Sequence, residues 1–196
     1  SIIFRNSEMI LPIVAYGDPV LRKAGAEIDK SYPDLQKLIA DMFDTMANAK
    51  GVGLAAPQVG KSIRLFVVDG SPFTAENEHP ELKDFRKVFI NAKIAEEKGH
   101  EWNYNEGCLS IPKIREDVKR KPTIRIKYAD ENFSEYEDTF TGISARIIQH
   151  EYDHIDGKLF IDRIKPLRRT LLKSRLIDIA KGNVEVEYKM KFPLKK

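Results

Sequence analysis

The segment Gln149-His150-Glu151-Tyr152-Asp153-His154 sets two imidazoles four residues apart with a carboxylate beside the first, an HExxH pattern. On a helix, positions i and i+4 share a face, so His150 and His154 can both address one metal ion. Glu151 then lies where a carboxylate can take a proton from a water that the ion activates. The chain has 4 histidines, and two of them fall at this spacing. A chance match on a surface helix is the bland alternative. The flanks favour a helix: Ala145, Ile147 and Ile148 lead into the motif, and Asp156-Gly157 ends it with a residue that tolerates a left-handed cap.

A catalytic tetrahedral centre needs a third protein ligand and one open position. Cys, His, Asp or Glu elsewhere could supply it, and Glu106-Gly107-Cys108-Leu109-Ser110 stands out. A Cys108 thiolate would be a soft, tightly held ligand, and Gly107 lets backbone approach closely. A third segment, Gly51-Val52-Gly53-Leu54-Ala55-Ala56-Pro57-Gln58, is rich in small residues that permit a backbone to line a narrow cleft. It ends in Gln58, an amide donor able to stabilise a developing oxyanion. Taken alone, such a segment is usually only a turn.

The elements around these residues read as one α+β domain over residues 9–196. Antiparallel or mixed sheets pack around a central HExxH helix that spans roughly Ser144 to Ile155. An extended stretch with turns covers Met9–Ile28. Pro33 opens an amphipathic helix marked by Leu35, Leu38, Ile39, Met42, Phe43 and Met46, and Gly51 closes it. Strands are predicted at Ile63–Asp69, Val88–Ala95, near Glu101–Tyr104, at Thr123–Ala129 and around Tyr136–Phe140, with a surface loop over Gly70–Lys83. A helix at Leu167–Lys181 ends at Gly182, and the tail Val184–Phe192 alternates like a final strand. Met9 reads as a native start and Ser1–Glu8 as a vector-derived remnant.

Composition sets outer bounds. The chain has 196 residues, 42% hydrophobic and 32% charged, enough for one domain with a real core. Its apolar runs are too short for a membrane span, and it has no signal-peptide pattern. The net charge of +3 does not by itself argue for nucleic acid, so no specific DNA partner is expected. Basic residues near the C-terminus (Lys165, Arg168, Arg169, Lys173, Arg175) read as a solvated helix face, with weak contact with RNA or an anionic surface as the alternative. The single cysteine allows no intramolecular disulfide and suits a reducing cytoplasm.

Taken in order, GVGLAAPQ at 51–58, EGCLS at 106–110 and QHEYDHIDG at 149–157 resemble the peptide deformylase family. The resemblance implies removal of the formyl group from the initiator methionine of nascent bacterial or organellar chains. It implies Cys108, His150 and His154 as metal ligands and Glu151 as the acid/base. Gln58 and the Leu109 amide would be oxyanion donors, and Val52, Gly53 and Gly107 would offer backbone hydrogen bonds to an extended peptide. Arg115 either contacts the peptide or is simply an exposed arginine. Ile143, Ile147 and the stem of Arg146 are candidates for the methionine pocket, with ordinary helix packing an equal reading. Glu106 either pairs with Arg120 to hold the Cys108 loop or forms a plain surface pair. The resemblance favours Fe²⁺, with Zn²⁺, Ni²⁺ or Co²⁺ able to use the same ligands, and it implies air-sensitive activity in the bacterial cytoplasm. Two departures stand out: Ile155 where many members carry Leu, and a strand-like tail where the best-known bacterial form ends in a helix. A transient ribosome contact through that part is therefore left open. A zinc endopeptidase and a non-catalytic metal-binding module are the rival readings. The first would draw a ligand from downstream, where only Glu185 and Glu187 are on offer in the tail.

Overall fold

The computed structural model describes residues 9–74 and 79–196; the expectation for Ser1–Glu8 lies outside them. In chain order the elements are β1 (Ile13–Val14), α1 (Leu35–Asn48), β2 (Gly53–Ala55), β3 (Leu65–Asp69), β4 (Arg86–Lys98), β5 (Trp102–Cys108), β6 (Ile111–Arg120), β7 (Thr123–Ala129), β8 (Glu135–Thr141), α2 (Gly142–Ile155), α3 (Pro166–Ala180) and β9 (Met190–Lys191). Five strands form an antiparallel sheet in the order β2-β3-β4-β7-β8, β5 and β6 form a hairpin, and β1 pairs in parallel with β9. This is the expected α+β architecture.

The run Leu65-Phe66-Val67-Val68 shows why β3 lies in the middle of the molecule. Successive side chains point to opposite faces of a strand, so an unbroken apolar run needs cover on both sides. Leu65 and Val67 pack with Ile39, Met42, Phe43 and Met46 of α1. Phe66 and Val68 pack with Phe89, Ile126 and the α2 residues Ala145, Ile147, Ile148 and Ile155. Each fully buried residue of this size contributes roughly 1.5–3 kcal/mol of hydrophobic stabilisation. A third cluster joins Ile114 and Val118 of β6 to Phe160 and to Leu172, Leu176 and Ile179 of α3. The ring of Phe160 stacks on His150, with centroids 6.0 Å apart, so α2 carries its motif between the sheet and this third cluster.

Helix α2 stops where the sequence indicates. Gly157 adopts φ +75° and its N–H donates to the His154 carbonyl, while a Cβ there would sit 2.6 Å from the Arg22 carbonyl oxygen. Strand β7 has the predicted bounds. Helix α1 begins at Leu35, two residues after Pro33, because Asp34 takes a left-handed φ of 53°. Two findings differ from expectation. The hairpin strand β6 went unrecognised, since Pro112 and six charged residues mask its alternation. The tail keeps its alternating burial from Val184 to Phe192, yet only Met190–Lys191 pair as a strand.

Candidate active site

Helix α2 and the end of β5 bring three metal-capable side chains together. The ligand atoms of Cys108, His150 and His154 all lie within 4.8 Å of one another. Cys108 Sγ is 3.4 Å from His154 Nε2. His150 directs Nδ1 to the Glu106 carboxylate at 2.9 Å, which leaves Nε2 for the cluster. A soft sulfur and two imidazole nitrogens suit a divalent transition metal. The electrostatics agree. Burial opposes a charge on His150, but hydrogen bonds to Cys108 and Glu106 outweigh it and raise its pKa well above the ordinary range. The sulfur and the carboxylate thus favour positive charge at this point, whether carried by a proton or a metal ion. Burial, and then the charge on His150, press His154 down to about 3 and keep it neutral, as a ligand must be.

Glu151 faces the same space. Its Oε1 lies 3.9 Å from His150 Nε2, and its Oε2 is buried with no hydrogen-bond partner among the described residues. Burial pushes its pKa up to about 7, with the charge on His150 opposing. A carboxyl poised there can both accept and return a proton near neutrality. Gly53 makes the room: a Cβ on it would stand 2.6 Å from Glu151 Oε1. Gln58 is buried at the end of the same segment. Its Oε1 accepts the Ala55 N–H, and its Nε2 points at Cys108 Sγ (3.4 Å) and Ser110 Oγ (3.1 Å).

A buried ionic network holds this arrangement. Glu106 accepts from Arg120 Nε and Nη2 at 2.8 and 3.0 Å and from Arg146 Nη1 at 2.8 Å, besides its bond with His150. Burial alone would raise the Glu106 carboxyl; hydrogen bonds from His150 and Arg120, with the Arg120 charge, hold it well below the usual carboxylate range. Asp153, one turn further along α2, accepts from Arg120 and, through both oxygens, from Arg163. Of the two readings of the Glu106–Arg120 pair, the buried one is observed: both side chains are 3% exposed.

The cluster opens into a cleft of about 800 Å³, within the range of ligand pockets. Strand β2 is an edge of the large sheet, and β5 an edge of the hairpin. Val52 and Gly53 line the cleft on one side and Gly107, Cys108 and Leu109 on the other. Ile147 also lines it. Arg146 lines it too, but its guanidinium is locked inside by Glu106, the carbonyls of Val118 and Trp102, and the Trp102 ring at 4.8 Å. Arg115 sits at the rim, bonded to the Asn105 side chain and carbonyl. Ile143 is not brought to the cleft lining and packs against the second core cluster instead. Sequence reasoning passed over Asp153 and Arg163, and over the tail residues Val186 and Tyr188, which line the cleft together with Glu187, a residue weighed only as an endopeptidase ligand. Asp153 stood inside the motif, and Tyr188 fell on the inward phase of the alternating tail.

Two nitrogens, a sulfur, a desolvated carboxylate and an amide donor around one cleft make a site of the class that hydrolyses amides with the help of a metal. The chain belongs to the polypeptide deformylase family, whose profile matches residues 10–170. The peptide deformylase of Christiangramia forsetii is 57% identical over 190 residues, covering 94% of this chain and 97% of that protein. That of Flavobacterium johnsoniae is 55% identical over 189 residues, covering 94% and 96%. Among solved structures, a peptide deformylase from Legionella pneumophila superposes with a TM-score of 0.76 at 36% identity, over 89% of this chain and 98% of that one. A plant peptide deformylase superposes with a TM-score of 0.79 at 34% identity, over 90% and 92%. No helix among the described residues is long and apolar enough to cross a membrane.

Proposed function

We propose that this chain hydrolyses the N-formyl group from the initiator methionine of nascent polypeptides and releases formate. The observation that carries the reading is the convergence of Cys108, His150, His154 and Glu151 on one cleft, in a chain of the deformylase family. Cys108, His150 and His154 hold a divalent ion, Fe²⁺ in the cell, with Zn²⁺, Ni²⁺ or Co²⁺ fitting the same donors. When bound, the ion supplies Lewis acidity, acidifying a water and polarising the formyl carbonyl. Glu151 takes the proton of the attacking water and returns it to the leaving amine as the C–N bond breaks. Gln58 Nε2 and the Leu109 N–H donate to the formyl oxygen as negative charge gathers there. The extended peptide lies between the β2 edge at Val52 and Gly53 and the β5 edge at Gly107. Ile147 borders the methionine side chain, and Arg115 guards the rim. Bacterial relatives support a bacterial cytoplasmic setting, where formylated chains are made.

The endopeptidase alternative loses ground because, among the described residues, the metal-capable cluster contains Cys108 rather than Glu185 or Glu187. The test is formate release from a formyl-Met peptide by protein purified without oxygen and loaded with Fe²⁺, beside Glu151→Ala. Release that disappears in the variant supports the reading. A folded, metal-loaded wild type that releases none sinks it, and cleavage of unformylated internal peptide bonds would revive the endopeptidase.

A further inference from the structure

The turn that joins β5 to β6 is held from a distant part of the chain. Tyr188 donates its hydroxyl to the Leu109 carbonyl at 2.7 Å. Its ring packs with Leu109 and Met190 against the α1 core cluster. Two residues beyond Tyr188, the tail is pinned by the β1–β9 pairing, where Ile13 N–H donates to the Lys189 carbonyl and Ala15 N–H to that of Lys191, both at 2.9 Å. The phenol therefore comes from a fixed support. The family profile ends at residue 170, so it covers Leu109 but not Tyr188.

The turn has few other degrees of freedom. Ser110 is fully buried, its hydroxyl taken by Gln58 and its carbonyl by the Tyr16 N–H at 2.9 Å. Cys108 is tied by its sulfur. The Leu109 N–H lies in the peptide plane it shares with Cys108, the Leu109 carbonyl lies in the next plane, and φ and ψ of Leu109 set the angle between the two. Anchoring the carbonyl plane from Tyr188, with Ser110 held beside it, limits how far the neighbouring plane and its N–H can turn. We propose that Tyr188 is a positioning residue, whose bond to the Leu109 carbonyl sets the direction of the Leu109 N–H toward the substrate; this rests on the deformylase reading above. Tail and catalytic turn thereby act as one unit.

The test compares wild type with Tyr188→Phe, which keeps the ring and its packing. The expected result is a fall in kcat of roughly three- to tenfold, the size of one neutral hydrogen bond, with KM within about twofold. Bound metal should be unchanged, and amide exchange should quicken in the peptide that spans residues 106–111 while staying as in wild type elsewhere. A merely structural role would lower the melting temperature or quicken exchange throughout, without the split between kcat and KM. Unchanged kcat in a folded variant, with or without faster local exchange, overturns the proposal. A wild type that releases no formate at all is a failure of the function reading and takes this proposal with it. That result is told apart from the other because there the wild type turns over and only the variant comparison is flat.

Discussion

Replacing Glu106 with Gln removes one charge and almost no volume, and it reaches both the fold and the metal cluster. The carboxylate is 3% exposed and accepts from Arg120, Arg146 and His150. Arg120 would keep Asp153 as a counter-charge. Arg146 would not: its remaining acceptors are the carbonyls of Val118 and Trp102. Breaking a buried pair while leaving the cation in place costs about 3–5 kcal/mol. For a domain of this size each kcal/mol moves the melting temperature by about 2–4 °C, so a drop on the order of 10 °C is expected. His150 also loses the acceptor that fixes its tautomer, and metal affinity should weaken by about 10–100-fold. Calorimetric melting of the metal-stripped protein isolates the first effect; competition with a chromophoric chelator measures the second. A stripped variant that melts within about 2 °C of wild type and holds metal within about twofold of its affinity would refute the reasoning. The network would then be a bystander to both.

Gly53→Ala should cut kcat/KM by about a hundredfold with little change in melting, because its Cβ would sit 2.6 Å from Glu151 Oε1 and force the carboxylate aside; steady-state kinetics beside a thermal melt decide it. Gln58→Leu should lower kcat by about a hundredfold or more in an intact fold, the effect of deleting an oxyanion donor, as read from formate release at saturating peptide. Cys108→Ser should lose bound metal on gel filtration and abolish the rise in melting temperature that added metal gives the wild type, since a serine hydroxyl is a poor substitute for a soft thiolate; elemental analysis and paired melts check both.

Much of the site was legible because its chemistry is local. His150, Glu151 and His154 need only a helix to converge, and Gly157 marks where that helix stops. Strand β7 carries a plain alternation with polar bounds. Other features depend on partners that no local pattern reveals. In β6, Arg120 turns inward to meet Glu106 and Asp153, so a position that should read apolar reads charged. Strand β2 looks like a turn because it sits in a run of glycines and alanines, and Gly53 must be glycine to leave room for Glu151. The alternation of the tail matches the half-buried phase at Val184, Val186 and Tyr188, but among the described residues only Met190–Lys191 find a strand to pair with. Ile143 and Ile147 lie one helical turn apart on α2, yet only Ile147 reaches the cleft; the spacing could not say where its mouth lay.

The parallel pairing of β1 with β9 has a consequence for the order of events during synthesis. Ile13 and Val14 emerge early and must wait for Met190 and Lys191, so this closure spans almost the whole domain and carries a high loop entropy. The β5–β6 hairpin and the three helices can form from contacts near in sequence, well before then. Tyr188 reaches the catalytic turn only when that late closure is made. If Tyr188 sets the turn as proposed, a chain that has not yet made this closure would bring Cys108, His150 and His154 together while the turn stayed slack. Under the proposed function, full turnover would then come only with this long-range contact.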